Sequence, residues 1–388
     1  MPYPESQNLE EEGLVGSSQR GPIKEILEQL WELNPLARKK NPAPKATLRS
    51  IPKTTPQRQR ESASAQSLES DTHLLEHLPQ TLLSQHDARR DTPEKTVLYL
   101  AYGSNLAAET FLGMRGIKPL SQINVVVPSL RLTFDLPGVP YVEPCFAATQ
   151  FRNQPRDDAD GDLDEKALAS ENAPLLSSQN TQADRPLIGV VYEVTLEDYA
   201  TIIATEGGGR GYKDIVVDCY PFPDGYDPAD PVPDCPDTQA FKAHTLLSPT
   251  SDRAALARLK VERRRTPPVI RPRPGYAQPS SRYLNLITTG AAEHGLPVSY
   301  RTYLAQIHTY RITTIRQRVG KATFLALWGP LLLLMLALSR MLAGPDGRSP
   351  AWLMEFSDLV MYGVWKSYDK VFAKVFGDGE RTIGDSED

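Results

Sequence analysis

Residues 99–106 read Tyr99-Leu100-Ala101-Tyr102-Gly103-Ser104-Asn105-Leu106, and the fold turns on how this stretch is read. The β-branched, aromatic and aliphatic run from Val97 to Ala101 has the composition of a buried strand. It stops at a Gly-Ser-Asn turn, and Leu106 to Met114 then reads as a short helix. A strand that breaks into a turn and a helix leaves several backbone N–H groups unpaired, aimed at whatever lies above the turn. Gly103 has no Cβ, so a ligand can approach the main chain there. Such a loop suits a small carboxylate.

The composition around this stretch is uneven. Proline (34) outnumbers glycine (25), and most of it lies in polar stretches outside the apolar segments. That pattern implies one globular domain with long irregular appendages. A net charge of −5 argues against a general nucleic-acid binder, which would be basic. Cys145, Cys219 and Cys235 show no CxxC spacing and no nearby histidine partner. Neither a disulfide framework nor a metal site is expected, no cofactor is implied, and a reducing compartment fits best. The N-terminus is acidic and polar, unlike a secretory signal or an Arg-rich transit peptide.

Residues 1–94 read as a mostly disordered region, with Arg38 to Arg60 basic, rich in Pro, Thr and Gln, and with little to bury. Two short helices interrupt it, Pro22 to Leu33 and Thr72 to Leu83, either partner-docking or transient. The globular part spans 95–315. Strand patterns fall at 122–127, 131–136, 145–150, 187–194, 212–220 and 239–247. Thr195 can cap a helix from Leu196 to Thr205, and two more helices, 280–294 and 297–306, are separated by Gly295. Insertions at 152–185, 221–238 and 251–274 are polar or proline-rich. Short strands with a few helices and no alternating βαβ units make this an α+β, barrel-like domain.

Between Lys321 and Arg340 lie about 18 uncharged residues, enough for a helix of ~27 Å, and 322–342 therefore reads as a transmembrane helix. Arg316, Arg318 and Lys321 precede it, and the tail 343–388 is net acidic. Positive-inside logic makes this a single-pass protein with the globular domain facing the cytosol and the tail across the membrane. Trp352 to Phe376 would then lie along the opposite membrane surface, and residues 321–388 would be dispensable for activity. A buried or interfacial helix is the other reading of the same run.

Glu206 is the foremost candidate for chemistry. It ends an amphipathic helix, where the macrodipole is negative and a carboxylate is disfavoured, so stability alone would place another residue there. Gly207, Gly208, Gly209 and Gly211 follow, either as a helix cap or as a turn that admits a substrate. They lack the Gly-Lys-Ser/Thr ending of a phosphate loop and precede a strand.

Three segments in order sharpen the reading. Tyr99 to Leu106 resembles the opening motif of the γ-glutamylcyclotransferase family. Glu206-Gly207 with Gly211-Tyr212 before a strand is similar to its catalytic Glu-Gly segment. Pro279-Ser280-Ser281-Arg282-Tyr283, continuing to Gly290-Ala291 and Gly295-Leu296-Pro297, is similar to its late helix pair. The resemblance covers about residues 95–310 and implies a γ-glutamylcyclotransferase-like mixed β-barrel with flanking helices.

It also implies a reaction. The α-amine of a γ-glutamyl amide or peptide closes a five-membered ring on the γ-carbonyl, giving 5-oxoproline and the free amine. Attack is intramolecular, so one carboxyl can serve as both acid and base. By this resemblance Glu206 is that group, and the Tyr102-Gly103-Ser104-Asn105 loop grips the glutamyl α-carboxylate. Tyr99, Leu100, Ala101, Tyr102, Gly103 and Ser104 line the glutamyl pocket, and Tyr283 contacts substrate. The side chains of Tyr99, Leu100 and Tyr283 equally suit core packing. Glutathione, γ-glutamyl amino acids, γ-glutamylamines and a γ-glutamylated secondary metabolite are all eligible substrates. The alternative function is a non-catalytic, membrane-anchored adaptor that binds γ-glutamyl or acidic ligands.

Overall fold

The computed structural model describes residues 48–63, 95–152, 185–206, 213–247, 269, 271, 276–342, 344 and 349–384. The two N-terminal helices expected at 22–33 and 72–83 lie outside these residues, as does most of the 152–185 and 251–274 insertions. Residues 48–63 belong to the fold, a docking segment inside the stretch that composition assigns to a mostly disordered region. A helix α1 (Pro56–Ala63) follows a bridge between Lys53 and Gln122. Backbone bonds to Gln122 and the Arg58–Glu193 ion pair (2.9 Å) hold this segment. Polar pairing attaches it to the domain, which is why a search for apolar residues passes over it.

Seven strands follow: β1 (Thr96–Ala101), β2 (Ser121–Val127), β3 (Leu130–Val139), β4 (Glu143–Phe151), β5 (Leu187–Thr195), β6 (Lys213–Pro221) and β7 (Phe241–Leu247). Five close a barrel in the order β1-β5-β2-β6-β7, and β3 and β4 form a separate two-stranded ladder. Pairs within the barrel are antiparallel except β1 with β7, which closes it in parallel. β1 and β5 lie in the middle of the core and are almost wholly buried, so they read as continuous apolar runs.

Helix α2 (Leu196–Thr205) follows β5 directly, capped by Thr195, whose hydroxyl accepts from Asp198 N at 3.1 Å. Leu196, Tyr199, Ala200, Ile202 and Ile203 are buried and pin it to the barrel. α3 (Ser281–Glu293) and α4 (Val298–Ala305) come next, turning at Gly295, whose φ of +59° favours glycine. The expected helix after β1 takes another form: a 3₁₀ turn, Ser104–Leu106, and then a wider π-helical turn, Glu109–Met114.

The apolar run becomes α5 (Ile315–Met341), long and apolar enough to cross a membrane. It does not stand alone. α6 (Ala351–Ser367) continues through a π-helical turn (Tyr368–Phe372) to Phe376 and packs against α5 as a helical hairpin. Phe324, Leu332, Val360, Val364, Trp365, Tyr368 and Phe372 form its core around Tyr141, from the β3–β4 turn. At Gly320 an added Cβ would lie 2.5 Å from the Phe376 Cβ, so the approach of the two helices requires glycine there.

This arrangement overturns the expected placement of the tail. Residues 377–383 return to the barrel domain instead of lying across a membrane from it. Tyr141 N donates to Gly379 O (2.8 Å), Gln278 N to Glu380 O (2.9 Å) and Arg311 N to Thr382 Oγ1 (2.9 Å). Gln317, at the start of α5, donates to Asp378 O at 2.7 Å. Arg271 pairs with Glu380 and Asp369 and stacks 4.1 Å from the Trp365 ring. The aromatic residues after Trp352 include those that form the α5–α6 core, so the sequence pattern of a membrane-surface segment was hiding a second packed helix.

Candidate active site

β1 delivers the Gly-Ser-Asn turn to one end of the barrel. Tyr99, Leu100, Ala101 and Tyr102 are all buried, and Tyr99 to Ala101 pair with Tyr192, Val191 and Val190 of β5. Leu100 and Ala101 are strand core; Leu100 O accepts from Thr245 Oγ1 at 3.2 Å. Tyr102 is tied down by its hydroxyl, which donates to Leu246 O at 2.6 Å. Gly103 faces the Tyr283 hydroxyl and Ala147, where an added Cβ would lie 3.4 and 3.5 Å away. Leu106 N to Gly103 O (3.0 Å) and Ala107 N to Ser104 O (3.2 Å) close the turn.

Gly290 of α3 fixes the other side of this turn. An ideal Cβ there would fall 2.3 Å from Leu106 C, so only glycine lets α3 lie against the backbone of the turn. The same helix carries Tyr283. Its start is held by Glu143 of β4, which accepts from Ser280 N (3.0 Å), Ser280 Oγ (2.6 Å) and Arg282 Nη2 (2.9 Å). Tyr283 Oη then accepts from Ala147 N at 3.1 Å. Burial, followed by the nearby Glu206 charge, pushes the Tyr283 phenol up and keeps it protonated. Burial does the same for Tyr102, with Tyr99, Glu206 and Tyr283 adding to it.

Glu206 caps the C-terminal end of α2, its N–H bonded to Ile202 O at 3.0 Å. Its Oε1 accepts from Asn105 Nδ2 at 3.0 Å, and the same amide donates to Tyr99 Oη at 2.9 Å. The turn and the carboxylate, 101 residues apart in sequence, therefore meet. Oε1 also takes Arg115 Nη2 at 2.5 Å, in an ion pair whose side chains are 8% (Arg115) and 17% (Glu206) exposed. Arg115 Nη1 reaches Thr205 Oγ1, whose hydroxyl bonds back to Thr201 O and Ile202 O.

Arg115 was missed by sequence reasoning. It follows the π-helical turn, with Arg115 N bonded to Thr110 O, and this wide turn aims it at the end of α2. There it meets both the carboxylate and the negative pole of the helix, which explains how a glutamate is tolerated at that position. Two buried polar atoms here have no partner among the described residues, Asn105 Oδ1 and Arg115 Nε. Among the described residues no cluster of His, Cys, Asp and Glu could hold a metal ion.

The γ-glutamyl cyclotransferase gliK of Aspergillus fumigatus is 30% identical over 293 residues, covering 74% of this chain and 90% of that protein. The chain belongs to the γ-glutamyl cyclotransferase family. A second γ-glutamyl cyclotransferase, aclK of Aspergillus oryzae, is 28% identical over 297 residues, 74% of this chain and 91% of its own length. The family described as AclK C-terminal domain matches residues 314–375, the α5–α6 hairpin. Among solved structures, a γ-glutamyl cyclotransferase at 17% identity covers 59% of this chain and 99% of its own, with a TM-score of 0.34. As a member of the γ-glutamyl cyclotransferase family this chain is an enzyme, and the adaptor alternative gives way.

Proposed function

We propose that the chain converts γ-glutamyl amides or peptides to 5-oxoproline and the free amine, with Glu206 as acid and base. The meeting of Glu206 with Asn105 carries this reading: Oε1 is held by Asn105 and Arg115, while Oε2 has no partner among the described residues. Oε2 takes a proton from the substrate α-ammonium, freeing the amine to attack the γ-carbonyl. A C–N bond forms in the ring and the amide C–N bond breaks. Glu206 returns its proton to the departing nitrogen, and the second proton shed by the α-nitrogen ends on the released amine as its ammonium.

Asn105 Oδ1, buried and unpartnered, is placed to accept from the same ammonium. Backbone N–H groups around Gly103 and Ser104 take the α-carboxylate, and Tyr283 closes the pocket beside Gly103. Arg115 keeps one carboxylate oxygen occupied and so fixes the direction of the other. Holding the folded glutamyl conformer supplies much of the rate, because the attack is intramolecular. Glutathione, a γ-glutamyl amino acid and a γ-glutamylamine form the test panel. The full chain should release 5-oxoproline from at least one of them, and Glu206→Gln should lower that release steeply; silence from the whole panel, or undiminished release from Glu206→Gln, defeats the reading.

For the C-terminal part, we propose that α5 contacts a membrane and that the catalytic domain works on its cytosolic face. The uncharged run and the basic residues Arg316 and Arg318 at its start support this.

A further inference from the structure

The α5–α6 hairpin carries apolar and charged surface that catalysis does not use. One side of α5 is covered by α6. Its other side leaves Val319, Leu327, Leu334 and Met341 in the open, with Leu327 61%, Leu334 50% and Met341 80% exposed. Steps of seven and eight residues put these side chains in one stripe along the helix. On α6 and its continuation, Lys366, Lys370 and Lys374 recur every fourth residue, and all three are exposed. Charge is also partitioned. Residues 314–375 hold eight Lys and Arg against four Asp and Glu, a net +4, while the remainder of the chain carries −9.

We infer that the hairpin lies in the plane of an anionic bilayer surface, with the α5 stripe among the acyl chains and the lysine row on lipid phosphates. This rests on the reading of α5 as a membrane contact. Apolar area plus attraction to anionic headgroups is what holds interfacial helices, and lysine stems reach from a buried backbone to the phosphate level. A single crossing by α5 conflicts with the strap, and a crossing of the whole hairpin conflicts with its charges. The strap 377–383 is bonded to the catalytic domain on the side where α5 begins. Trp328 Nε1 donates to Ser367 Oγ at 3.0 Å and Phe376 lies beside Gly320, which sets Lys366 near the middle of the uncharged run and Asp369 and Lys370 between there and its start, all within the span a bilayer core would occupy. A second copy of the chain could cover the stripe, but two identical lysine rows would repel.

The test uses the full chain with vesicles of phosphatidylcholine alone or mixed with phosphatidylserine, read by co-sedimentation. Binding at least tenfold tighter to the anionic vesicles is expected. Lys366→Gln/Lys370→Gln/Lys374→Gln should lose that preference, and Leu327→Gln/Leu334→Gln should lose binding to both, with 5-oxoproline formation in solution unchanged. Equal binding to the two vesicle types overturns the anionic surface while leaving membrane contact standing. No binding to either overturns both, and self-association abolished by Leu327→Gln/Leu334→Gln would then assign the stripe to a second copy. With Cys235 replaced by Ser, a Ser349→Cys thiol on bound protein should react with an impermeant maleimide added outside; protection of that thiol means a crossing hairpin and overturns the in-plane arrangement.

Discussion

Arg115 meets two negative centres at once, the Glu206 carboxylate and the carbonyl end of α2. Removing it as Arg115→Met leaves a carboxylate buried without its counter-charge, at a cost of roughly 3–5 kcal/mol. Denaturant unfolding should show that loss, and adding Glu206→Gln should recover most of it without restoring 5-oxoproline release. Free guanidinium should partly rescue kcat in Arg115→Ala, a response that a purely structural role would not give. Glu206→Gln alone is expected to lower kcat/KM by about 10²–10⁴. His294 supplies the pH dependence. Its Nε2 lies 2.7 Å from Tyr192 Oη and 3.1 Å from Leu106 O, and burial lowers its pKa to about 4. Between that value and the ordinary ~6.5 the unfolded chain binds more protons, so stability falls as pH drops through this window. Thermal melting from pH 7 to 4 should show the fall, and His294→Gln should flatten it. Asn105 and Glu206 were legible in the sequence because each sits in a local pattern of turn or helix end. Arg115 was not, because the contact that gives it meaning lies 91 residues away.

At the scale of elements, β-branched and apolar composition located the strands, a capping threonine located α2, and Gly295 marked the break between α3 and α4. Local pattern revealed the Gly-Ser-Asn turn after β1 but not its course through a 3₁₀ and a π-helical turn, where tertiary contact with α3 decides the backbone path. Gly290 is the residue at which that contact is made. Gly290→Ala should push α3 off the turn, with a lowered melting temperature and a fall in activity larger than the stability loss explains. Circular dichroism melts beside the 5-oxoproline assay would separate the two effects. If Gly290→Ala leaves both unchanged, the turn is not held by α3. The segment 48–63 teaches the complementary lesson. Its attachment uses backbone bridges and an ion pair, neither of which leaves an apolar signature in the sequence.

For the whole molecule, the hairpin and the catalytic domain form one connected structure. Tyr141, at a left-handed φ of 64°, reaches from the β3–β4 turn into the hairpin core. The same ladder supplies Glu143 and Ala147 to the helix that carries Tyr283. Deleting 321–388 removes the packing around Tyr141 and the partners of Gln278 and Arg311, so the shortened protein should melt earlier or precipitate. A soluble, fully active truncation would show that the domain stands without its tail. The fold class was legible because the core strands and three motifs occur in order. The return of the tail was not, since an aromatic helix that packs on a neighbour and one that lies on lipid share the same composition.

Because residues 377–383 clasp segments near 278 and 310, the native contacts of the domain are completed only after both helices of the hairpin have been made. The barrel domain therefore waits for the hairpin and the strap behind it before its own fold is complete. Until then the apolar helix and the unfinished barrel are exposed together, which makes the nascent chain a natural client for chaperones.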